Sequence, residues 1–598
     1  MKLISVKIIG KNFRSLSANK LYSYNYTFES EKLSTKIFAG LNGSGKSNFL
    51  ELFSEIFYFL ELCQLDTVSN NEKATKNFGF EIQYYLPISK IDFEKLFETE
   101  INDSVESYIK DNLHLTQNNR EEFIKIHYNE IDEFEKFVWN QLSSLLRDNH
   151  IHVRISKRLG EKPEYSIQTN DEYKIYRLIE NNKESILPKK IIAYTSGQNE
   201  LLSNPFYKLK YHYFKIFENK KKIEDGDQLA DNHRMFFLDY SNNFSIFIAN
   251  MLLADDLKIS YLKEILEIND LQSFRITLNT NELYKKVILK NRRITVNLLK
   301  LKQCATTWVE KNVEEHNLLI LDFFVNRATK DAFKFHFGSA FNLFSFFYEL
   351  EIFNLYQVDE NTRNSMLQVH KSYNVNDESS KPDPSRLTFR IEKIIISKNL
   401  GKDKPPAEIY YKALSDGEHQ FIEVLGTVLM MEQPGCLFLL DEPDTHFNPK
   451  WRAKLIQLLN YMAATSFDSE GNVEKVRSQE IILTTHSPFV ISDSNKEDVY
   501  KFDKINGEVR YINPKIETYG ASMSLLLQEI FDRKISISDL SNTELEKLRT
   551  EIKELKSNDA IKEKIEETKE KLLDFGESIE KFDMYSFLRH IEKEIESK

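Results

Sequence analysis

The hydrophobic and polar residues at the start of the chain follow the order of strands that lead into a helix. Three segments, Leu3–Ile9, Tyr22–Phe28 and Thr35–Phe38, have the β-branched and aromatic character of strands. From Ser47 onward, apolar residues recur at helical spacing. A further strand is predicted at Phe78–Leu86. The pattern therefore predicts an α/β start in which a strand runs through a short loop into a helix.

The middle of the chain is predicted to be mainly helical, with strands at its borders. Residues 92–147 are charged and have helical spacing, and a hairpin-like pair of strands is expected within 151–168. An apolar strand follows at Lys190–Tyr194. Residues 205–349 are aromatic and predicted helical, with a short β-like interruption near Phe274–Leu278. The Glu/Lys-rich end of the chain is predicted to form helices, an exposed hairpin or a docking element.

The length and net charge of the chain limit the number of lobes and the kinds of partner to expect. A chain of 598 residues is too long for one ordinary core, so at least two lobes are expected. The net charge of −11 means that any nucleic-acid contact must use a local basic patch. One such patch is the Lys208–Lys222 segment with its interleaved aromatic residues, although a solvated amphipathic helix is the favoured interpretation.

Cysteine usage and hydropathy bear on the compartment. The chain has three cysteines, far apart in sequence, a pattern that suits neither a disulfide framework nor a zinc site. The segment Met1–Val6 predicts a strand and not an apolar leader, and neither Phe49–Leu62 nor Phe337–Tyr356 is apolar enough to span a bilayer. We therefore expect a cytoplasmic protein with no membrane partner.

The loop Gly40–Ser47 has the strongest chemical signal in the sequence. It fits the pattern GxxxxGK[ST] between a predicted strand and a predicted helix. Its glycines let backbone N–H groups wrap around phosphates, Lys46 would bridge the β- and γ-phosphates of ATP, and the hydroxyl of Ser47 would ligate Mg²⁺. The predicted ATP contacts of this segment are Asn42, Gly43, Ser44, Gly45, Lys46, Ser47 and Asn48.

A pair of carboxylates follows a second buried strand. Cys436–Leu440 is apolar, and Asp441 and Glu442 stand at its carboxyl end, where ligands bind in parallel sheets. We predict that Asp441 holds Mg²⁺ and that Glu442 orients and activates the attacking water. Another strand, Ile481–Thr485, ends at His486. This position resembles the histidine that contacts the γ-phosphate in ABC-type ATPase sites, which implies that His486 is a third catalytic residue beside Glu442 and Lys46.

The segment Leu414–Glu418 resembles the Leu-Ser-x-Gly-Glu form of the signature of ABC-type ATPases. At a helix N-terminus, Ser415, Gly417 and Glu418 would face the γ-phosphate of the nucleotide held by a second subunit. The order of the motifs along the chain resembles the ABC-type ATPases of the SMC/RecF/OLD-like group. This resemblance implies an α/β fold: an ABC-type P-loop ATPase head with a largely helical insertion lobe and a helical C-terminal tail.

The resemblance extends to three further positions. Lys11–Leu16 looks like the Asn-Phe-Arg/Lys-Ser element of the group, which implies that Arg14 lies near the phosphates. Glu442–Pro449 resembles the D-loop but departs from it at Asp444 and Asn448. The resemblance therefore does not establish which contacts these residues make between subunits. Gln198 is the candidate for the glutamine that contacts Mg²⁺ and the γ-phosphate. The alternative, Gln83, lies inside a predicted antiparallel strand.

The resemblance divides the chain into six parts. They are the N-terminal half of the head (1–88), a mixed helical and β-hairpin insertion (89–188), the strand that returns to the head (189–204), the mainly helical insertion lobe (205–385), the C-terminal half of the head (386–525) and the helical tail (526–598).

The regions outside the head indicate which relatives to expect. The insertion lacks the sustained heptads of SMC proteins, and the residues after His486 lack the acidic TOPRIM centre of OLD nucleases. What remains resembles the stand-alone ATPases of anti-phage systems, such as PtuA of Septu and Septu-like retrons, and the AAA-family ATPases associated with restriction systems. A transporter ATPase is disfavoured, because no segment could couple the chain to a membrane protein.

This resemblance implies a function and its partners. Two copies would close head-to-tail around ATP and Mg²⁺ and act as a switch that controls an effector nuclease in anti-phage defence. An HNH nuclease and a retron RNA or DNA are the candidate partners. The alternative is a DNA-repair or recombination ATPase of the RecF/SMC type that clamps DNA directly.

Overall fold

The structure is a computed structural model. It describes residues 1–29, 31–65, 79–113, 128–143, 145–168, 175–177, 184–197, 199–219, 233–280, 291–313, 316–366, 386–401, 405–533 and 536–596. These residues form a mixed α/β fold, as the sequence predicts.

The strands, in chain order, are β1 Lys2–Ile9, β2 Leu21–Ser23, β3 Ser34–Gly40, β4 Gly79–Pro87, β5 Leu146–Arg147, β6 His150–Lys157, β7 Glu164–Gln168, β8 Ile175–Arg177, β9 Ile191–Thr195, β10 Met235–Leu238, β11 Ile268–Asn279, β12 Thr307–Val313, β13 His316–Phe324, β14 Phe389–Lys398, β15 Ala407–Tyr410, β16 Leu437–Asp441, β17 Ala464–Phe467, β18 Val473–Val476, β19 Glu480–Thr485, β20 Val499–Ile505 and β21 Glu508–Ile512.

The helices, in chain order, are α1 Lys46–Gln64, α2 Lys90–Leu113, α3 Tyr128–Ser143, α4 Glu200–Asn219, α5 Tyr240–Leu253, α6 Asp256–Leu266, α7 Arg292–Cys304, α8 Arg327–Phe337, α9 Ala340–Ile352, α10 Glu360–Met366, α11 Asp416–Met430, α12 Pro449–Arg452, α13 Leu455–Ala463, α14 Pro488–Ser492, α15 Met523–Phe531, α16 Asp539–Glu554, α17 Asn558–Leu572 and α18 Ile579–Glu596. Short 3₁₀ segments lie at Phe353–Gln357, Tyr411–Ala413 and Lys496–Asp498.

The central sheet brings distant parts of the chain to one edge. Its strand order is β10-β9-β16-β19-β3-β20-β21, and neighbours are parallel except for β20 and β21. All residues of β16 and β19 are buried, as expected for interior strands of a parallel sheet with near-continuous apolar runs. The carboxyl ends of β3, β19, β16 and β9 therefore meet, which is where a parallel sheet holds its ligands.

The first two strands of the chain belong to a second sheet. It is antiparallel, with the order β2-β1-β4-β6-β7-β8 and β5 paired to β6. A buried ion pair joins it to the central sheet: Nζ of Lys36 in β3 lies 2.7 Å from Oε1 of Glu480 in β19, and the Leu3 amide of β1 donates to the same carboxylate. The pair is almost fully excluded from solvent, so breaking it would leave a buried charge unpaired.

A third sheet lies where the sequence predicts mainly helices. Strands β11, β12 and β13 all fall within 205–385 and form an antiparallel sheet with β14 and β15, in the order β12-β13-β11-β14-β15. Only part of β11 is expected from the β-like interruption near Phe274–Leu278. Most of the described residues in 205–385 are still helical, and β12 and β13 are strands there that the sequence does not predict.

The apolar side chains gather in two clusters. The large one runs through the sheets and the helices packed on them. Helices α16–α18 have a small cluster of their own, which consists of Leu545, Leu548, Ile552, Ile565, Leu572, Met584 and Leu588. Among the described residues, no helix combines the length and the apolar character that crossing a membrane requires.

Candidate nucleotide site

The loop between β3 and α1 depends on glycine for its shape. Gly40, Gly43 and Gly45 all have positive φ angles, of 140°, 75° and 97°. A β-carbon on Gly40 would lie 2.5 Å from the backbone oxygen of Phe502, and one on Gly45 would lie 2.4 Å from Cγ2 of Val509. Since L-residues with side chains rarely adopt these angles, conformation favours glycine at all three positions, and space restricts Gly40 and Gly45 as well.

Lys46 begins α1 with its side chain directed back along the loop. Its Nζ donates to the backbone oxygens of Gly40 at 2.9 Å and Leu41 at 3.0 Å. The side chain is buried, and this desolvation lowers the pKa of Lys46 to about 8, against the opposing attraction of Glu442 and Asp441. The amine thus lies inside the loop, close to two carboxylates.

Asp441, at the carboxyl end of β16, receives three side-chain donors. Its Oδ1 accepts from Oγ of Ser47 at 3.0 Å and from Oγ1 of Thr484 at 2.7 Å. Its Oδ2 accepts from Nδ2 of Asn199 at 2.7 Å. The residue is 7% exposed. Ser47, Asp441 and their neighbours form a set of hard oxygen donors of the kind that Mg²⁺ prefers, so the residues present fit the predicted metal.

Glu442 adopts a left-handed backbone conformation with φ of 51°. Its amide donates to Oγ1 of Thr484 at 3.0 Å, and its Oε1 lies 3.3 Å from Nε2 of His486. The hydrogen bond from His486 lowers the pKa of Glu442 against the effect of partial burial. Both side chains remain more than one-third exposed, so Glu442 and His486 together face solvent beside the P-loop.

The D-loop segment is held by the end of β19. Oγ1 of Thr485 donates to Oδ1 of Asp444 at 3.0 Å, and Nε of Arg452 donates to the Asp444 backbone oxygen at 3.1 Å. Burial raises the pKa of Asp444. Oδ1 of Asn448 accepts from the Trp451 amide at 2.9 Å and caps α12. Asp444 and Asn448, the two departures from the D-loop pattern of ABC-type ATPases, therefore have structural roles within this chain.

The signature residues begin α11. Ser415 is its N-cap, and Ser415 and Glu418 form a capping box in which the Ser415 amide donates to Oε2 of Glu418 at 2.8 Å. Nζ of Lys398 lies 2.7 Å from Oε1 of Glu418. Ser415 is exposed, and among the described residues no hydrogen bond joins Ser415, Gly417 or Glu418 to the P-loop. Glu418 therefore stabilises the start of the helix.

The signature helix and the D-loop of one chain pack against each other. Oε1 of Gln420 accepts from the His446 amide at 2.9 Å, and a β-carbon on Gly417 would lie 2.7 Å from the His446 backbone oxygen. The rings of Phe421 and Trp451 lie 4.7 Å apart. The D-loop and the signature helix of one chain are therefore in direct contact.

The element before the P-loop is tied to α1. The guanidinium of Arg14 makes two hydrogen bonds to Oε1 of Glu51, at 2.8 and 3.1 Å, and a third to Oε2 at 3.3 Å. Nδ2 of Asn48 donates to Oγ of Ser15 at 2.6 Å. The contacts of Arg14 and Asn48 are thus with the protein itself, and their predicted contacts with ATP stay predictions.

The predicted glutamine, Gln198, lies outside the described residues. Its neighbour Asn199 contacts Asp441, and Oδ1 of Asn199 also accepts from the Leu202 amide at 3.3 Å. The alternative, Gln83, lies in β4, where its Nε2 donates to Glu81 at 2.9 Å. Sequence reasoning missed Asn199 and Thr484, although both stand near the carboxyl ends of buried strands, which is the signal that could have found them.

The basic, aromatic segment 208–222 is described as far as residue 219 and forms the second half of α4. Lys208 is buried, and Nζ of Lys210 lies 4.7 Å from the Tyr348 ring centroid. Oη of Tyr213 donates to Glu61 of α1 at 2.8 Å. This half of α4 packs against the core, so its cations are not arranged as an exposed nucleic-acid surface.

Comparison with known proteins gives a partial match. Residues 260–492 match a family model described as "AAA domain, putative AbiEii toxin, Type IV TA system". This region contains Ser415, Asp441, Glu442 and His486, but it is less than half of the chain and does not include the P-loop. The chain is also 28% identical to "Protein ea59" of Escherichia phage lambda over 95 residues, which span 16% of this chain and 16% of that protein. The family match supports an ATPase of the ABC/SMC-like P-loop type.

Proposed function

We propose that the protein binds ATP with Mg²⁺ at Gly40–Ser47 and hydrolyses it. One observation carries the proposal: the P-loop, the Asp441–Glu442 pair and His486 lie at the carboxyl ends of the adjacent strands β3, β16 and β19. A glycine loop alone would indicate only phosphate binding. A paired carboxylate and histidine beside it supply what hydrolysis requires.

ATP binding would replace hydrogen bonds within the P-loop by hydrogen bonds from the loop to the phosphates. The Lys46 amine donates to loop carbonyls, and phosphate oxygens offer stronger, charged acceptors for the same hydrogen atoms. Ser47 and Asp441 would hold Mg²⁺, with Thr484 and Asn199 fixing the orientation of the Asp441 carboxylate. When bound, the metal would neutralise charge on the phosphates.

Glu442 is the proposed general base. Because its pKa is lowered, the carboxylate is ionised near neutral pH and can accept a proton from water. His486 lies 3.3 Å from the carboxylate and would hold it in place. Their partial exposure leaves room for a water molecule and for the γ-phosphate.

A second copy of the chain would complete the site. Ser415 is exposed at the N-terminus of α11, where a γ-phosphate of the partner's nucleotide could accept its hydroxyl hydrogen. ATP would then stabilise the closed dimer, and hydrolysis would release it. By its resemblance to anti-phage ATPases, we infer that this cycle controls an effector nuclease, of the HNH type in the nearest systems.

ATP turnover and dimer closure test the proposal together. Lys46→Ala should abolish ATP binding. Glu442→Gln should still bind ATP, and light scattering should show that the protein accumulates as a dimer. Its rate of ATP turnover should fall at least roughly a hundredfold. Glu563→Gln, an exposed change in α17, is the matched control. Normal turnover by Glu442→Gln would show that the base is wrongly assigned.

Copurification from a host that carries the neighbouring genes tests the inferred partner. An associated nuclease, or a retron RNA or DNA, whose activity changes with Glu442→Gln would support the defence switch. ATP-dependent DNA binding by the isolated protein, without such a partner, would favour the DNA-clamping alternative.

A further inference from the structure

A cavity lies between helices α7, α8 and α9, away from the P-loop. Its volume is about 510 Å³, within the usual range of small-molecule sites. One of its lining residues, Gln433, precedes β16 at the strand end opposite Asp441. The cavity and the P-loop therefore lie at opposite edges of the central sheet.

The charged side chains of the cavity are cationic. Arg293, Asn297 and Lys300 are spaced four and three residues apart on α7, so they share one face of that helix. His336 of α8 also lines the cavity. Among the described lining residues there is no carboxylate, although the protein as a whole carries a net charge of −11. The positive character of the cavity is therefore local.

The basic side chains Arg293, Lys300 and His336 differ in how firmly they are engaged. The guanidinium of Arg293 contacts the carboxylate of Glu349, which is fully buried behind the cavity wall. Within the described part of the chain, neither Lys300 nor His336 takes part in an ion pair. Lys300 and His336 can thus turn to an anion in the cavity, while Arg293 is held as part of its wall.

The rest of the lining suits a heterocyclic base. Asn297 and Gln433 present amide groups that both donate and accept hydrogen bonds. Aromatic rings form one side of the cavity, and Phe341 is the partly exposed one. Base recognition commonly combines stacking on such rings with hydrogen bonds to the base edges, and phosphate recognition uses cations.

We propose that this cavity binds a small nucleotide, with its phosphate at Lys300 and His336 and its base against Phe341, Asn297 and Gln433. A cavity of about 510 Å³ has the size of a small-molecule site. Binding here would require neither the P-loop nor ATP hydrolysis. The site would give the ATPase an input that is separate from its substrate.

Isothermal titration calorimetry on the full-length Lys46→Ala protein tests the proposal, because that change removes nucleotide uptake by the P-loop. The probes are the four ribonucleoside monophosphates, the four triphosphates, inorganic phosphate and a 5′-phosphorylated hexanucleotide. Each is titrated into Lys46→Ala alone and into the same protein with Lys300→Glu or Lys334→Glu added. Lys334 is an exposed lysine of α8 outside the cavity, so it controls for the charge change.

We expect at least one mononucleotide to bind saturably with one site per chain and more tightly than inorganic phosphate. Lys300→Glu should weaken that binding at least roughly tenfold, and Lys334→Glu should change it by less than about twofold. The proposal is overturned if no mononucleotide binds, or if Lys300→Glu has no effect. Lys300-dependent binding of the hexanucleotide alone would overturn it in favour of a nucleic-acid end. Circular dichroism melts confirm that each variant is folded.

Discussion

Oγ1 of Thr484 donates to Oδ1 of Asp441 at 2.7 Å and accepts from the Glu442 amide at 3.0 Å. Thr484 is fully buried at the end of β19, next to β16. One hydroxyl therefore orients the proposed metal-binding carboxylate and also holds the backbone of the proposed base in its left-handed conformation. Its contacts lie behind the site, so Thr484 is a positioning residue.

Replacing Thr484 with valine should lower kcat of ATP hydrolysis roughly tenfold or more, with a much smaller change in KM. Valine keeps the shape of the side chain but leaves the Glu442 amide without this acceptor and removes one of the two donors to Oδ1 of Asp441. Thr484→Ser should restore most of the rate, since serine retains the hydroxyl. Steady-state kinetics measures both constants.

A control separates positioning from stability in that experiment. Oγ1 of Thr427, buried in α11, donates to the Glu423 backbone oxygen, so Thr427→Val also removes a buried hydroxyl but leaves the site intact. Equal losses of rate in Thr484→Val and Thr427→Val would mean that Thr484 has no specific role.

The second prediction concerns Asn199, which bonds to Asp441 at 2.7 Å. Asn199→Ser should raise the Mg²⁺ concentration for half-maximal ATPase activity roughly tenfold, because the Asp441 carboxylate loses a donor that orients it. Serine retains an oxygen that can accept from the Leu202 amide at the start of α4. A titration with Mg²⁺ at saturating ATP measures the effect.

Gln198→Ala is the informative comparison for Asn199→Ser. A small effect of Gln198→Ala beside a large one of Asn199→Ser assigns the metal-linked role to Asn199. The reverse result would restore Gln198 as the metal-sensing side chain and contradict the role inferred from the Asn199 contact.

The parts of the site that could be predicted from the sequence are those formed by short motifs of consecutive residues. Gly40–Ser47 and the Asp441–Glu442 pair each follow a buried strand, and the structure places them at one sheet edge. Thr484 and Asn199 act on Asp441 across 43 and 242 positions of sequence. Their positions near the carboxyl ends of buried strands indicate this sheet edge, but only the strand order shows that they contact Asp441.

The β12–β13 hairpin shows why part of the fold could not be predicted. Residues 307–312 of β12 are all exposed at the edge of their sheet, so no alternation of buried and exposed positions marks them as a strand. Their glutamate and lysine are equally compatible with a helix. Backbone pairing with β13 determines the strand: Thr307 is opposite Asp322 at one end, and Val313 is opposite His316 at the other.

The third prediction is that ATP affinity falls as pH rises through about 8. Burial lowers the pKa of Lys46 to about 8, so above this pH the nucleotide-free protein increasingly carries a neutral amine. Phosphates favour the charged form, so ATP binding above pH 8 should take up a proton at Lys46. Calorimetry in buffers of different ionisation enthalpy measures that uptake directly.

Lys46→Arg controls for other titrating groups. A guanidinium stays charged throughout this range, so whatever ATP binding the variant retains should show no proton uptake between pH 8 and 10. If the variant takes up as many protons as the unchanged protein, the pH dependence has another source.

The last prediction concerns Gly417. A β-carbon added at this glycine would lie 2.7 Å from the His446 backbone oxygen. Gly417 is in the first turn of α11, where alanine would by itself favour the helix by roughly 1 kcal/mol. A backbone atom cannot rotate away as a side chain can, so Gly417→Ala should displace the D-loop and its contact with Gln420. We expect ATP turnover to fall roughly tenfold while ATP binding by Lys46 and Ser47 is retained.

Gly197→Ala is the matched control for Gly417→Ala, because a β-carbon at Gly197 meets no atom within 4 Å although the residue adjoins the site. It should leave turnover nearly unchanged. The melting temperature adds a second readout: helix propensity alone predicts that Gly417→Ala raises it, and contact with His446 predicts that it falls. A more stable Gly417→Ala protein with normal turnover would mean that the signature helix and the D-loop move independently.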